Sequence, residues 1–243
     1  MPTPGEFKYF EKLGVDGMQH AIHKPWSDPH CGLYLMELGA MMGLIPGKGR
    51  LLDLGCGTGW TSVLFAQKGY DVVGQDLVPE AIEAGRKLKV QHGLDNLDFV
   101  TADYESLAFE NEFDVAIFFD CLHHSIDEAK ALNSAYRALK PGGICITSEP
   151  GLGHARRSKQ VMEQFGTTER DMHPAKIIRA GKKSGFKCLG IHPHAYDLYL
   201  TLYRKNHSSR LSKILALPGV SSLAAIFSIL VRRHIAGIVV LQK

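Results

Sequence analysis

The 243-residue sequence predicts an α/β domain, a sheet covered by helices on both faces. Three observations carry that expectation. Short β-rich runs alternate with stretches of helical periodicity along the whole chain. Several of those runs are apolar throughout, as strands buried on both faces must be. The first of them, RLLDLG at 50–55, opens into a glycine-rich turn that leads to a helix.

Taken in order, residues 1–30 fit the alternation poorly and predict an irregular cap leading to a helix near 31–43. The strand at 50–55 is followed by a second at 70–75 (YDVVGQ). Pro79 suits the first turn of a helix through about Gln91, with Ala81, Ala84 and Leu88 inward and Glu83 pairing Lys87 outside. Strands follow at 97–101 and 113–119. Ser125-Ile126-Asp127-Glu128 reads as a capping box for a helix that turns Leu132, Ala135, Tyr136 and Leu139 inward. LKPGG at 139–143 ends that helix and turns into a strand at 143–148. Pro174 opens another helix, with Ile177, Ile178 and Gly181 inward and Gly185 closing it, before a strand at 186–191. The last strand is expected at 236–242. Residues 193–235 are long for a connection, which predicts a lid or a binding segment. The chain therefore divides within one domain: cap and first helix 1–44, core 45–192, a hydrophobic and basic insertion 193–235, and a last strand 236–243.

Composition restricts the function classes. With 45% hydrophobic and 22% charged residues the chain is ordinary for a globular protein, and a net charge of +3 demands no nucleic-acid partner. The five cysteines form no Cys-x-x-Cys pair, which argues against a disulfide framework or a zinc site and for a reducing cytoplasm. The N-terminus lacks the pattern of a secretory signal. Residues 214–231 hold no charge over a membrane-spanning length, but Pro218, Gly219 and three serines argue against a simple span.

The glycine-rich turn, LLDLGCGTGW, admits two kinds of ligand. A dinucleotide site expects Gly-x-Gly-x-x-Gly, whose third glycine lets helix pack on strand; Trp60 stands there instead. The pattern is Asp53-x-Gly55-Cys56-Gly57-x-Gly59, which resembles the first motif of class I S-adenosylmethionine-dependent methyltransferases. Glycines let a backbone approach the ligand closely, and amides at the following helix N-terminus can meet its carboxylate. Further segments strengthen the resemblance. Gln75-Asp76-Leu77 stands where the family binds both ribose hydroxyls, a diol suited to a carboxylate with two acceptor oxygens. Thr101-Ala102-Asp103-Tyr104 stands where an aspartate accepts from the adenine amino group, with Tyr104 or Leu77 flanking the ring. Asp53 either touches the cofactor or anchors the loop. Phe119-Asp120-Cys121-Leu122-His123-His124 and the later Leu-Lys-Pro-Gly-Gly resemble small-molecule members of the quinone-biosynthesis group.

The resemblance covers residues 45–192 and implies a Rossmann-like three-layer sandwich: a seven-stranded, mostly parallel sheet with an antiparallel last strand. It implies S-adenosyl-L-methionine as cofactor and in-line methyl transfer to a small-molecule or lipid-linked acceptor, releasing S-adenosylhomocysteine. O-methylation is favoured, with nitrogen or carbon as alternatives; the Asn/Asp-Pro-Pro-Tyr/Phe segment of many amino- and amide-directed enzymes is missing after the fourth strand, which argues against DNA adenine or protein glutamine substrates without excluding amines on small molecules. His123 or His124 could act as general base, or one could orient the other and pack against the cofactor. His20, His23, His30 and Cys31 match no compact zinc spacing, and no metal is expected. His154, Arg156, Arg157 and Lys159 suit an anionic group on the acceptor or a solvated loop. The basic residues Arg204, Lys205, Arg210, Lys213, Arg232 and Arg233 around the apolar run suggest peripheral membrane contact through 204–233, against a helical lid or a contact between copies. Two other readings stand beside this one: a nicotinamide-dependent oxidoreductase on a similar fold, and a noncatalytic S-adenosylmethionine-binding module.

Overall fold

The computed structural model describes residues 4–194, 199, 217, 219–232 and 235–243. The apolar runs form seven strands: β1 (Arg50–Leu54), β2 (Asp71–Asp76), β3 (Leu97–Thr101), β4 (Phe113–Phe119), β5 (Leu139–Ser148), β6 (Lys187–Pro193) and β7 (Gly237–Gln242). Nine helices are interleaved among the described residues. These are α1 (Pro4–Ile22), α2 (Cys31–Gly43), α3 (Trp60–Gln67), α4 (Pro79–His92), α5 (Glu128–Ala138), α6 (His154–Arg157), α7 (Lys159–Phe165), α8 (Pro174–Lys183) and α9 (Val220–Arg232).

The sheet order is β3-β2-β1-β4-β5-β7-β6, parallel except for β7, which runs antiparallel to both β5 and β6. Strand order reverses between β1 and β4, so the loops after these strands diverge and leave a crevice at the carboxyl edge. Two apolar layers cover the faces. On one, Leu132, Ala135 and Ile177 of α5 and α8 meet Phe113, Phe118 and Leu241. On the other, Met41, Phe65 and Ile82 of α2, α3 and α4 meet Leu51, Ile117 and Val240.

Several local expectations are revised. Residues 4–22 form a helix, not an irregular cap, broken at Gly14 (φ 61°, ψ −168°), a conformation that only glycine adopts readily. Its backbone is close against the body: a Cβ on Gly5 would lie 2.0 Å from the carbonyl oxygen of Gly166. Asp127, not Ser125, caps α5, accepting from the N–H groups of Ala129 and Lys130 at 2.9 and 3.2 Å. Ser125 is still extended and donates back to the Leu122 carbonyl, while Glu128 takes Arg170 at 2.7 Å instead of closing a capping box. LKPGG lies within β5, beginning at the Phe113–Leu139 pair. Glu83 pairs Arg86, not Lys87. Arg204, Lys205, Arg210, Lys213 and Arg233 lie outside the described residues.

Candidate active site

The turn after β1 is built by three glycines with different surroundings. A Cβ on Gly55 would meet Cys121 Cβ at 2.8 Å, and one on Gly59 would meet Phe99 at 2.5 Å, so both glycines are fixed by close packing within the fold. Gly57 (φ 56°) has nothing within 4 Å of that position and faces open space. The loop is tied to its neighbours by buried polar groups. Gln75 accepts from Gly55 N–H at 3.3 Å and donates to the Ala102 carbonyl, joining the ends of β1, β2 and β3. Asp76 accepts from Gly57 N–H at 2.8 Å and from Val78 N–H at 3.0 Å, one bond on each carboxylate oxygen. Burial raises the Asp76 pKa against the lowering effect of those amides.

Asp53 is not at the cavity wall. It is 1% exposed, and one oxygen accepts from the hydroxyls of Thr61 and Ser62 at 2.6 Å each, anchoring β1 to the first turn of α3. Burial raises its pKa to about 6 against those two hydrogen bonds. Gly59 likewise faces Phe99 instead of the cavity.

A cavity of about 640 Å³ opens at the carboxyl edge. Its walls bring together Gly55, Cys56, Gly57, Asp76, Leu77, Asp103 and Tyr104, and, farther along, Asp120, His123 and His124. Asp103 uses one oxygen on Glu105 N–H at 2.8 Å. Tyr104 donates its hydroxyl to the Cys121 carbonyl at 3.1 Å, turning its ring against Phe118. Helix α1 covers the opening with Glu6 and Tyr9, and Thr58 Oγ1 donates to the Ala21 carbonyl at 2.7 Å, linking the glycine loop to that cover. Tyr34, Trp60 and Phe119 form an aromatic wall, the last two rings meeting edge to face at 5.5 Å. Burial, then the charges of Asp120 and Asp28, push the Tyr34 hydroxyl up to about 12.

The histidine pair is divided by its partners. Asp120 takes a positive φ of 53° at the end of β4, turning the chain into the short 122–124 turn. Glu149, one residue beyond β5 and 1% exposed, holds that turn. One oxygen accepts from the N–H groups of Cys121 and Leu122, the other from the N–H and ring Nδ1 of His123, at 2.8 Å for the ring. Burial alone would lower the His123 pKa, but the hydrogen bond and charge of Glu149, then Asp120 and Glu169, raise it to about 9. His123 is therefore an imidazolium at neutral pH. His124 is half-buried, and its Nδ1 lies 2.8 Å from the Thr168 carbonyl. A carbonyl only accepts, so Nδ1 carries a proton and donates it there.

Glu149, Glu169 and Glu6 escaped the sequence reading, being single carboxylates in unpatterned segments. Glu169 bonds His154 Nε2 at 2.7 Å, which takes His154 into the cavity wall and away from the basic group of Arg156, Arg157 and Lys159. His123, His124 and Glu169 also offer donor atoms within 4.8 Å of one another, a set that could hold a metal ion. His20 and His30 instead face Asp28, at 3.6 and 3.3 Å.

Comparison with known proteins agrees with this geometry. Residues 47–206 match the family described as Methyltransferase domain. The chain is 39% identical over 100 residues to a ubiquinone biosynthesis O-methyltransferase of Cereibacter sphaeroides, covering 41% of this chain and 40% of that protein. It is 35% identical over 128 residues to a ubiquinone/menaquinone biosynthesis C-methyltransferase of Pectobacterium atrosepticum, covering 49% and 46%. The matched region thus spans less than half the length of these relatives. Among solved structures, phosphoethanolamine N-methyltransferase 2 of Haemonchus contortus in complex with S-adenosyl-L-methionine superposes with a TM-score of 0.70 at 20% identity, covering 100% of this chain and 59% of that one. A [4+2]-cyclase superposes at 0.65 and 20% identity, covering 100% and 96%. At that identity the likeness is one of fold.

Proposed function

The chain belongs to the methyltransferase-domain family of class I S-adenosylmethionine-dependent proteins, and from that premise we propose that it transfers a methyl group to a hydroxyl of a small-molecule or lipid-linked acceptor. The observation that supports it most is the open backbone at Gly57 on one wall with Asp76 and Asp103. A Cβ is missing where a ligand would approach, and two carboxylates keep acceptor capacity beyond the single backbone bond that each oxygen of Asp76, and one of Asp103, already takes. Cys56, Leu77 and Tyr104 complete that wall. The cofactor, when bound, supplies a methyl group already activated on a sulfonium.

The protein's own residues then have defined tasks. Asp76 accepts from the ribose diol and Asp103 from the adenine amino group. Leu77 and Tyr104 flank the ring. Tyr34, Trp60 and Phe119 give an acceptor ring an apolar surface and exclude water beside it. His123 is held by the buried Glu149 at 2.8 Å, so the proton of the acceptor hydroxyl passes to His124 on the cavity wall. His123 and Glu149 position the turn that carries it. The ubiquinone biosynthesis O-methyltransferase among the relatives supports oxygen as the methylated atom.

The family match replaces the nicotinamide alternative. The test is incubation with S-adenosylmethionine labelled in its methyl group and a panel of phenols, catechols, quinols and amines, with the label located by NMR. Label is expected on oxygen. His124→Ala is expected to slow transfer about 10²-fold at neutral pH, with a smaller loss at high pH, where the acceptor ionises by itself. Label on carbon or nitrogen would overturn O-methylation. Tight cofactor binding without S-adenosylhomocysteine release from any acceptor would leave a noncatalytic module.

A further inference from the structure

Helix α9 presents an apolar face to solvent. Leu223, Ile226, Phe227 and Leu230 are 69%, 54%, 68% and 58% exposed, and their spacing of three, four and seven residues places them along one side. Large apolar side chains left in water together mark a surface awaiting a partner. The charge around them is one-sided: between 198 and 235 the sequence carries Arg204, Lys205, Arg210, Lys213, Arg232 and Arg233 and no aspartate or glutamate.

We infer that α9 docks onto an anionic lipid surface, lying in the interface with its leucine and phenylalanine side chains among the acyl chains. Three considerations select this occupant. An apolar helix face within a stretch of sequence whose only formal charges are cationic fits a layer that is negatively charged outside and apolar inside. Among the described residues no helix is long and apolar enough to cross a membrane, and the 13 residues of α9 rise only about 20 Å, short of a hydrocarbon core of about 30 Å, which suits a helix lying in the interface. For a second copy of the chain, four side chains fall short of the roughly 800 Å² per partner of a stable protein interface.

The position of α9 gives the docking a purpose. The chain leaving it is pinned at Ile235, whose carbonyl accepts from Leu152 N–H at 3.1 Å, and Gly151 leaves no room there for a side chain. Residues 151 and 152 follow Glu149 at the carboxyl end of β5, the edge at which the cavity opens. An acceptor held in a bilayer would thus be met at the edge where the methyl group is delivered. The docking itself goes beyond the proposed reaction, and its test needs no turnover.

The test is cosedimentation of the full chain with vesicles of phosphatidylglycerol and phosphatidylcholine, or of phosphatidylcholine alone, at low and high salt. Binding to the anionic vesicles is expected, weakening at least several-fold on raising salt from about 0.05 to 0.5 M as the Debye length contracts. Leu223→Ser with Phe227→Ser should reduce it at least about tenfold. Both side chains are solvent-exposed, so the melting temperature and S-adenosylhomocysteine affinity should stay unchanged. Absence of vesicle binding, or binding equal in the double variant, overturns the inference. A dimer at micromolar concentration in sedimentation velocity that the double variant dissociates would overturn it in favour of a second copy.

Discussion

Gly57 and Gly59 both adopt positive φ, 56° and 84°, so alanine at either position strains the backbone by about 1–2 kcal/mol. Their surroundings separate them further. The added methyl at Gly59 lies 2.5 Å from the ring of Phe99, which is 9% exposed and packed, and overpacking of this kind adds about 1–3 kcal/mol. At Gly57 the methyl projects into the cavity. Gly59→Ala should therefore unfold at clearly lower urea than Gly57→Ala, while Gly57→Ala loses S-adenosylhomocysteine affinity by at least about tenfold, roughly 1.4 kcal/mol. Urea titration and calorimetry on both variants separate the two effects, and undiminished affinity in Gly57→Ala would remove the cradle assignment. The sequence motif could not make this distinction, because it shows alternation but not which neighbour each residue faces. Asp53 illustrates the same limit. Its acid was legible, yet only the fold shows Thr61 and Ser62 turned toward it from the start of α3.

At the scale of elements, strands and core helices were legible because each has one dominant signal: continuous apolar runs for strands, and proline in the first turn for α4 and α8. Helix α1 was not. Glycines at 5, 14 and 17 lower its helix propensity, although only Gly14 breaks the helix. Gly5 permits backbone contact with Gly166 and Thr167, which seats Glu6 3.6 Å from His124 and Tyr9 edge to face with Phe165. A helix held by contacts at its two ends and interrupted between them can be displaced without unfolding the sheet. Gly5→Ala places a methyl 2.0 Å from a carbonyl oxygen that belongs to backbone, so α1 must lift from the cavity. The expected outcome is faster proteolysis within residues 4–22 and cofactor affinity weakened about tenfold, roughly 1.4 kcal/mol, with the urea midpoint of the sheet little changed. A loss of the whole cooperative transition instead would show that α1 belongs to the folding core.

For the whole molecule, the sheet order was implied by the family resemblance and not by any periodicity, since pattern gives strands but not neighbours. The charge network at the carboxyl edge was invisible for a related reason: His123, Glu149, His154 and Glu169 are separated in sequence and meet only when β4, β5 and the 166–173 segment converge. That network ties stability to pH. The folded-state pKa of His123, about 9, stands above its ordinary value of 6.5. Its contribution is fully present below 6.5 and is lost as pH rises through 9. Asp53, raised to about 6, acts in the same direction, its stabilisation present below pH 3.8 and already gone above 6. Glu169 and Asp171 are lowered, so their contributions hold above the ordinary carboxylate range and fail only in acid. Between pH 6.5 and 9.5 the slope comes from His123 and, above about pH 8, also from the thiols of Cys56, Cys121 and Cys145, which burial holds protonated above their ordinary value of 9.0, and the free energy of unfolding should fall by a few kcal/mol. Glu149→Gln removes the charge that raises the imidazole pKa while keeping an acceptor for the 121–123 amides. It should be less stable at pH 6.5 and lose less stability from there to pH 9.5, so that wild type and variant converge at high pH. Parallel urea midpoints for the two proteins from pH 6.5 to 9.5 would show that the ion pair does not govern alkaline stability.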